Sequence, residues 1–338
     1  MIKFPAPSII SITMAGSHEA VTHETEPLPM RYAIGIAGQG GTSIGEVFLH
    51  EYDRSPAFHK VFDTAESVLA HAIPGFSIQK LCFEETPENQ KKVEQTLFSH
   101  LANTTIYVAK YSAFREEFPN SNDAEFILPQ SAGECAALAI SGMVPFETAL
   151  LVAKKRGELT ERAARQNPGK MVYVKGFSGG YERLAQVCAQ VSEEMQGVVA
   201  VSNKNSPSVQ IFSGQNELVE EVKRRIDRKV IDLPISFGSH CALMNPMLEE
   251  WGEFLRSVPM DQPRMKWLLN GVITQDPEKI ADRMTVGPTE LVDWESSVQE
   301  LDRQGISTMA EMTPNVQRRI VVGRFTQDTI PEFKIIAR

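Results

Sequence analysis

"FILPQSAGECAALAISGM", residues 126 to 143, reads as a short apolar run, a polar turn and a helix. Phe126, Ile127 and Leu128 make a run of the kind found in a buried strand, and Glu134 to Ile140 is rich in Ala and Leu with helical spacing. Strand, tight turn and helix together predict an α/β chain. They also leave Ser131 with two readings. On a strained turn at the start of a helix, a serine beside unpaired N–H groups and the positive dipole end is set up as a nucleophile. Serine is equally a preferred N-cap. The nucleophile pattern is G-x-S-x-G, and the frame here is P-Q-S-A-G, so Gly133 fits and Pro129 does not. A partner base elsewhere must decide.

Composition narrows the classes. The chain has 338 residues, 42% of them hydrophobic and 23% charged, which suits a soluble enzyme with one large domain and a smaller one. No apolar run approaches the roughly 18 residues of a membrane span. The N-terminus has a weak apolar stretch, but Pro5, Pro7 and the lack of a cleavage context argue against a secretion signal. Cys82, Cys135, Cys188 and Cys241 are far apart with no C-x-x-C spacing, which argues against zinc and for a reducing, cytoplasmic setting. A net charge of -9 disfavours nucleic acid as a partner. The basic clusters Lys154–Arg156, Lys223–Lys229 and Arg318–Arg319 are read first as solvated helix faces.

Along the chain, residues 1–29 are rich in Pro, Ser, Thr and Glu without periodicity and read as an extension. "RYAIGIAGQGGTSIGEVF" from Arg31 is a strand and a Gly-rich turn with neither a G-K-[ST] nor a G-x-G-x-x-G. Backbone N–H groups near Gln39 remain available to another anion. Residues 163–236 change texture to strand, helix, strand, strand, helix, strand, the order of a ferredoxin-like unit. This predicts a small α+β subdomain, 163–236, inserted into a core made of 30–162 and 237–338. Of seven histidines, only His240, in "LPISFGSHCALM" after the last strand of the insert, lies where a cleft is expected. An ordinary loop histidine is the plainer reading of that segment alone.

The ordered set "GQGG", "QSAGECAALAISGM", "AKKRGEL", "NKNSP" and "LPISFGSHCALM" resembles malonyl-CoA:acyl carrier protein transacylases over about residues 31 to 335. The resemblance implies an α/β-hydrolase-like core with an inserted ferredoxin-like α+β subdomain and an active site between them. It implies that Ser131 is acylated and that His240 is the general base and then acid. Gln39 and the N–H of Ala132 would form the oxyanion hole, and Arg156 would pair with the free carboxylate of the malonyl group. An arginine buried there without an anion would be costly, which points to a dicarboxylic acyl group. Gln130, Asn205 and Ser239 would shape the pocket, and a backbone carbonyl near Gly287 would hold the imidazole in place of a triad carboxylate. The expected donor is malonyl-CoA and the acceptor the phosphopantetheine thiol of an acyl carrier protein. No permanent cofactor, metal, membrane or nucleic acid is expected, and the chain is expected to be a monomer. Departures from the family pattern are Pro129 and Gln130 in the elbow, Asn103 in "LANTTIYVAKY", and "EMTPN" at 311–315, where a G-P-G-like turn is expected. They suggest a divergent member serving fatty acid or polyketide synthesis. An acyl hydrolase that clears carrier proteins and a non-catalytic carrier-binding module are the alternatives.

Overall fold

The apolar run that ends at the elbow is a central strand, buried along its whole length. The computed structural model describes residues 31–39, 44–119, 123–226, 228–312 and 321–337. The N-terminal extension, the turn residues 40–43, the Arg318–Arg319 pair and the last three residues of "EMTPN" lie outside the described residues.

Among the described residues the strands are, in chain order, β1 (Ala33–Ile36), β2 (Phe126–Pro129), β3 (Lys170–Lys175), β4 (Val199–Ser206), β5 (Val209–Gly214), β6 (Val230–Asp232), β7 (Lys266–Leu269), β8 (Val272–Thr274), β9 (Val292–Asp293), β10 (Thr308–Glu311) and β11 (Lys334–Ala337). They form two sheets. The first has the order β11-β10-β1-β2-β7-β8 and is parallel except for the β7–β8 hairpin. It is the α/β-hydrolase-like core. In such a sheet the ligand crevice lies beyond the carboxyl ends of the strands. Those ends are where Gly38 and Ser131 meet, because Ile36 is in register with Pro129 and Gln130 N–H donates to Ile36 C=O at 2.8 Å.

The second sheet has the order β6-β3-β5-β4-β9. Its neighbours β6–β3, β3–β5 and β5–β4 are each antiparallel, in the ferredoxin-like order, with helices Gly180–Met195 and Asn216–Arg225 on one face. Val172, Val174, Phe212, Leu184 and Val219 make a core of their own on that side. The two-residue β9 comes from the other segment of the chain and pairs parallel with β4.

A β-bulge aims this sheet at the site. Val199 and Val201 point to the helices, and simple alternation would send residue 203 the same way. The register shifts between Val201 and Asn203, so Val201 pairs with Phe212 while Asn203 pairs with Ile211. The extra residue flips the face, and Asn203 lines the inter-sheet cavity beside Ile211. A second shift between Lys204 and Ser206 leaves Asn205 outside the ladder, where its Oδ1 accepts from Gln130 Nε2 at 2.8 Å.

Beneath the site, helix Thr96–Glu117 crosses helix Phe146–Gln166 at close range because position 157 is glycine. A Cβ on Gly157 would lie 2.7 Å from the Cα of Leu97. Gly157→Ala gains about 1 kcal/mol of helix propensity, while overpacking against backbone costs about 1–3 kcal/mol. The clash is expected to win. Urea denaturation of Gly157→Ala is therefore expected to show a lower midpoint, and a raised midpoint would mean that the helix pair opens freely.

Candidate active site

The elbow is built by close approach. A Cβ on Gly38 would sit 2.9 Å from Gln130 C=O, and one on Gly133 would sit 2.7 Å from Ala37 C=O. Only glycines let the loop after β1 and the helix after β2 come this near. Ser131, between them, has φ 51°, and His240 has φ 57°. Both are non-glycine residues in the left-handed region, a conformation that costs free energy and persists only where surroundings impose it.

Ser131 is not the cap of the helix that follows. The N-cap position falls to Ala132, with no side-chain cap, and Ser131 Oγ instead lies 2.8 Å from His240 Nε2. His240 Nδ1 faces two backbone carbonyls, Gly287 at 2.8 Å and Glu290 at 3.1 Å. Both acceptors require the proton on Nδ1, which leaves a lone pair on Nε2 for the serine hydroxyl. Gly287 is the C-cap of helix Pro277–Val286, so its carbonyl has no acceptor role inside the helix and accepts from the Glu290 N–H at 3.3 Å as well as from the imidazole. His240 N–H donates to Pro288 C=O at 2.8 Å, so the same turn fixes the backbone as well as the ring.

Arg156 and Glu134 are buried together. Arg156 Nη1 donates to Glu134 Oε2 at 2.7 Å and to the Ser131 carbonyl at 3.0 Å. Burial opposes the charged guanidinium, but Glu134 and Cys135 together hold the Arg156 pKa above its ordinary value, while burial outweighs Arg156 at Glu134 and pushes its carboxyl up. Contrary to the expectation from sequence, a buried Arg156 does not need an anion from outside the chain, because Glu134 is its partner. Glu134 stands three residues after Ser131 and was readable as a first-turn acid on a helix, without any sign of its partner.

One cavity brings these groups together. Gln39, Gln130, Ser131, Arg156, Ser239 and His240 line it from the core, while Met171, Asn203 and Ile211 line it from the second sheet. Asn205 reaches it through Gln130 and Gly287 through His240. Among the described residues, the N–H of Ala132 donates to nothing. The cavity also includes His100, which its sequence context did not mark. It lies on a helix in which His100, Asn103, Thr104 and Tyr107 recur at helical spacing and all keep buried polar atoms without a partner. Asn103 is fully buried on that helix and is not among the cavity residues. The clusters Lys154–Lys155 and Lys223–Arg225 are paired with acids, among them Glu158, Glu250, Glu220, Glu221 and Glu194.

A serine on a strand–turn–helix elbow, with an oriented imidazole at hydrogen-bond distance and the unpaired N–H of Ala132 beside it, defines an acyl-transferring enzyme of the serine–histidine class. No protein-family profile matches the chain. It is 27% identical over 292 residues to the malonyl CoA-acyl carrier protein transacylase of Haemophilus influenzae, covering 84% of this chain and 88% of that protein. It is 28% identical over 284 residues to the enzyme of the same name in Bacillus subtilis, covering 82% and 84%. A Bacillus subtilis protein named for the same activity in polyketide biosynthesis is 24% identical over 284 residues, covering 80% and 90%. The solved malonyl transacylase of Streptococcus pneumoniae superposes with a TM-score of 0.79 at 26% identity, over 91% of this chain and 96% of that one. In sequence and in fold the chain is similar to malonyl-CoA:acyl carrier protein transacylases along most of its length.

Burial, and after it the Arg156 cation, push the His240 pKa down to about 4 despite the two carbonyls that favour its charged form. The ring is then a free base at every pH above that value. Single-turnover acylation is expected to stay flat from neutrality down to about pH 5. An acid limb centred near the ordinary imidazole value would show that His240 titrates in the open.

Proposed function

We propose that the protein transfers a malonyl group from malonyl-CoA to the phosphopantetheine thiol of an acyl carrier protein, in the cytoplasm, in fatty acid or polyketide synthesis. The observation that carries this reading is the Ser131–His240 contact at 2.8 Å in a cavity that also holds the Arg156 guanidinium. Four free, buried cysteines support the cytoplasmic setting.

In the first half-reaction the Ser131 hydroxyl proton moves to His240 Nε2 as Oγ attacks the thioester carbonyl. The developing oxyanion is met by the N–H of Ala132 and by the backbone at Gln39, at the positive end of the elbow helix. Collapse breaks the C–S bond, and the leaving thiolate takes the proton from the imidazolium. In the second half-reaction the acceptor thiol gives its proton to His240, its sulfur attacks the Ser131 ester, and the serine leaves with that proton. Throughout, the Nδ1 proton stays between the Gly287 and Glu290 carbonyls, which stabilise the transient imidazolium as a triad carboxylate does elsewhere.

Arg156 is the proposed reader of the malonyl carboxylate. Its Nη1 is engaged by Glu134 and Ser131, and its other N–H groups meet no oxygen among the described residues. Gln130, held by Asn205, and Ser239 shape the wall around the acyl group. The internal Arg156–Glu134 pair favours one second reading, an acyl hydrolase, because an acyl group without a carboxylate would not strand the guanidinium.

Ser131→Ala is expected to abolish covalent labelling by malonyl-CoA in intact-mass spectra, and persistent labelling would remove Ser131 from its role. Arg156→Ala alone leaves Glu134 buried without a cation, so the informative variant is Arg156→Ala with Glu134→Gln. The ratio of kcat/KM for malonyl-CoA to that for acetyl-CoA is expected to fall by about 30-fold or more, matching a loss of at least about 2 kcal/mol for truncating one side of a buried charge pair. An unchanged ratio would favour the hydrolase.

A further inference from the structure

We propose that His100 is a second contact for the free carboxylate of the acyl group and sets, with Arg156, the preference for a dicarboxylic acyl chain. The inference rests on the transferase reading above and names a residue that the elbow and histidine motifs leave out.

The geometry begins with the helix crossing. Gly157 lets Leu97 approach, and His100, one turn beyond Leu97, is carried to the wall that Arg156 forms from the other helix. His100 and Arg156 are each 3% exposed, and both line the cavity that contains Ser131. His100 Nδ1 is buried and has no hydrogen-bond partner. A buried polar atom without a partner is costly, and in a ligand cavity it is the kind of atom a ligand satisfies.

The protonation state fits that use. Burial, then the Arg156 cation, push the His100 pKa down to about 3, so the ring is neutral and carries one N–H. A neutral donor beside a guanidinium avoids like-charge repulsion and still offers a hydrogen bond. Nη1 of Arg156 is shared between Glu134 and the Ser131 carbonyl, which leaves Nε and Nη2 as its edge toward a ligand. A carboxylate has two oxygens to satisfy. One is met by the remaining guanidinium N–H groups and the other by the His100 N–H. An acetyl group presents neither oxygen and gains nothing from the imidazole.

The test compares His100→Leu, which keeps the bulk and removes the donor, with His100→Gln, which restores an N–H at similar reach. For His100→Leu, kcat/KM with malonyl-CoA is expected to fall about tenfold or more, chiefly through KM, because the lost bond reaches a charged group. Acetyl-CoA acylation is expected to hold, and His100→Gln is expected to recover most of the malonyl rate. Equal losses with both donors, or no loss with either, would overturn the proposal. Imidazole NMR on Ser131→Ala gives a check that does not depend on folding of the leucine variant. The His100 signals, assigned by their absence in His100→Gln, are expected to move with malonyl-CoA and not with acetyl-CoA, and identical responses would overturn the proposal. A wild-type protein that malonyl-CoA does not label at all would overturn the transferase reading itself, a result distinct from either of these.

Discussion

The contact between Ser131 Oγ and His240 Nε2 is the constraint from which the rest of the structure can be read. The two residues are 109 positions apart, and each sits at a left-handed φ that its own side chain disfavours. On one side, the register of β1 with β2 and the two glycines at 38 and 133 press the elbow into shape. On the other, the Gly287, Pro288 and Glu290 carbonyls grip both the ring and the backbone of His240. The antiparallel sheet closes the cavity between them. Asp328 near the C-terminus ties it down by accepting from Ser206 and Ser208, the residues that flank the end of β4.

Electrostatics make the second demand. An ion pair as deeply buried as Arg156 and Glu134 is costly to desolvate and is a weak source of stability. Its place explains its retention better than its energy does. Arg156 holds the Ser131 carbonyl, and its positive charge adds to burial, the larger cause, in depressing the pKa of both His100 and His240. One guanidinium thus holds the elbow, helps burial keep the imidazole of His240 unprotonated and lines the cavity.

Much of this was legible in the sequence, and the exceptions have physical causes. The strand–turn–helix at 126–140 and the strand and helix order of the insert follow from local periodicity, and both appear as read. The choice between cap and nucleophile at Ser131 did not follow, because it depends on a φ sign and on an imidazole more than a hundred residues away. Glu134 looked like a first-turn acid, and pairing with Arg156 22 residues later is a tertiary event. His100 lay in a helix whose polar residues are buried, so no polar face announced it. The bulge in β4 is one extra residue that reverses a face, and alternation in the sequence gives no warning of it.

A transferase requires that Ser131 carry an acyl ester which a carrier thiol, and not water, removes. Both a transferase and a hydrolase form that ester, so its formation does not separate them; its fate does. The direct measurement is the lifetime of malonyl-enzyme, followed by intact mass with and without holo acyl carrier protein. The ester is expected to be stable for minutes or longer alone and to discharge rapidly on addition of the holo carrier, with malonyl-carrier appearing as the ester is lost. Free malonate released at the same rate in both samples, with no malonyl-carrier formed, would contradict that expectation.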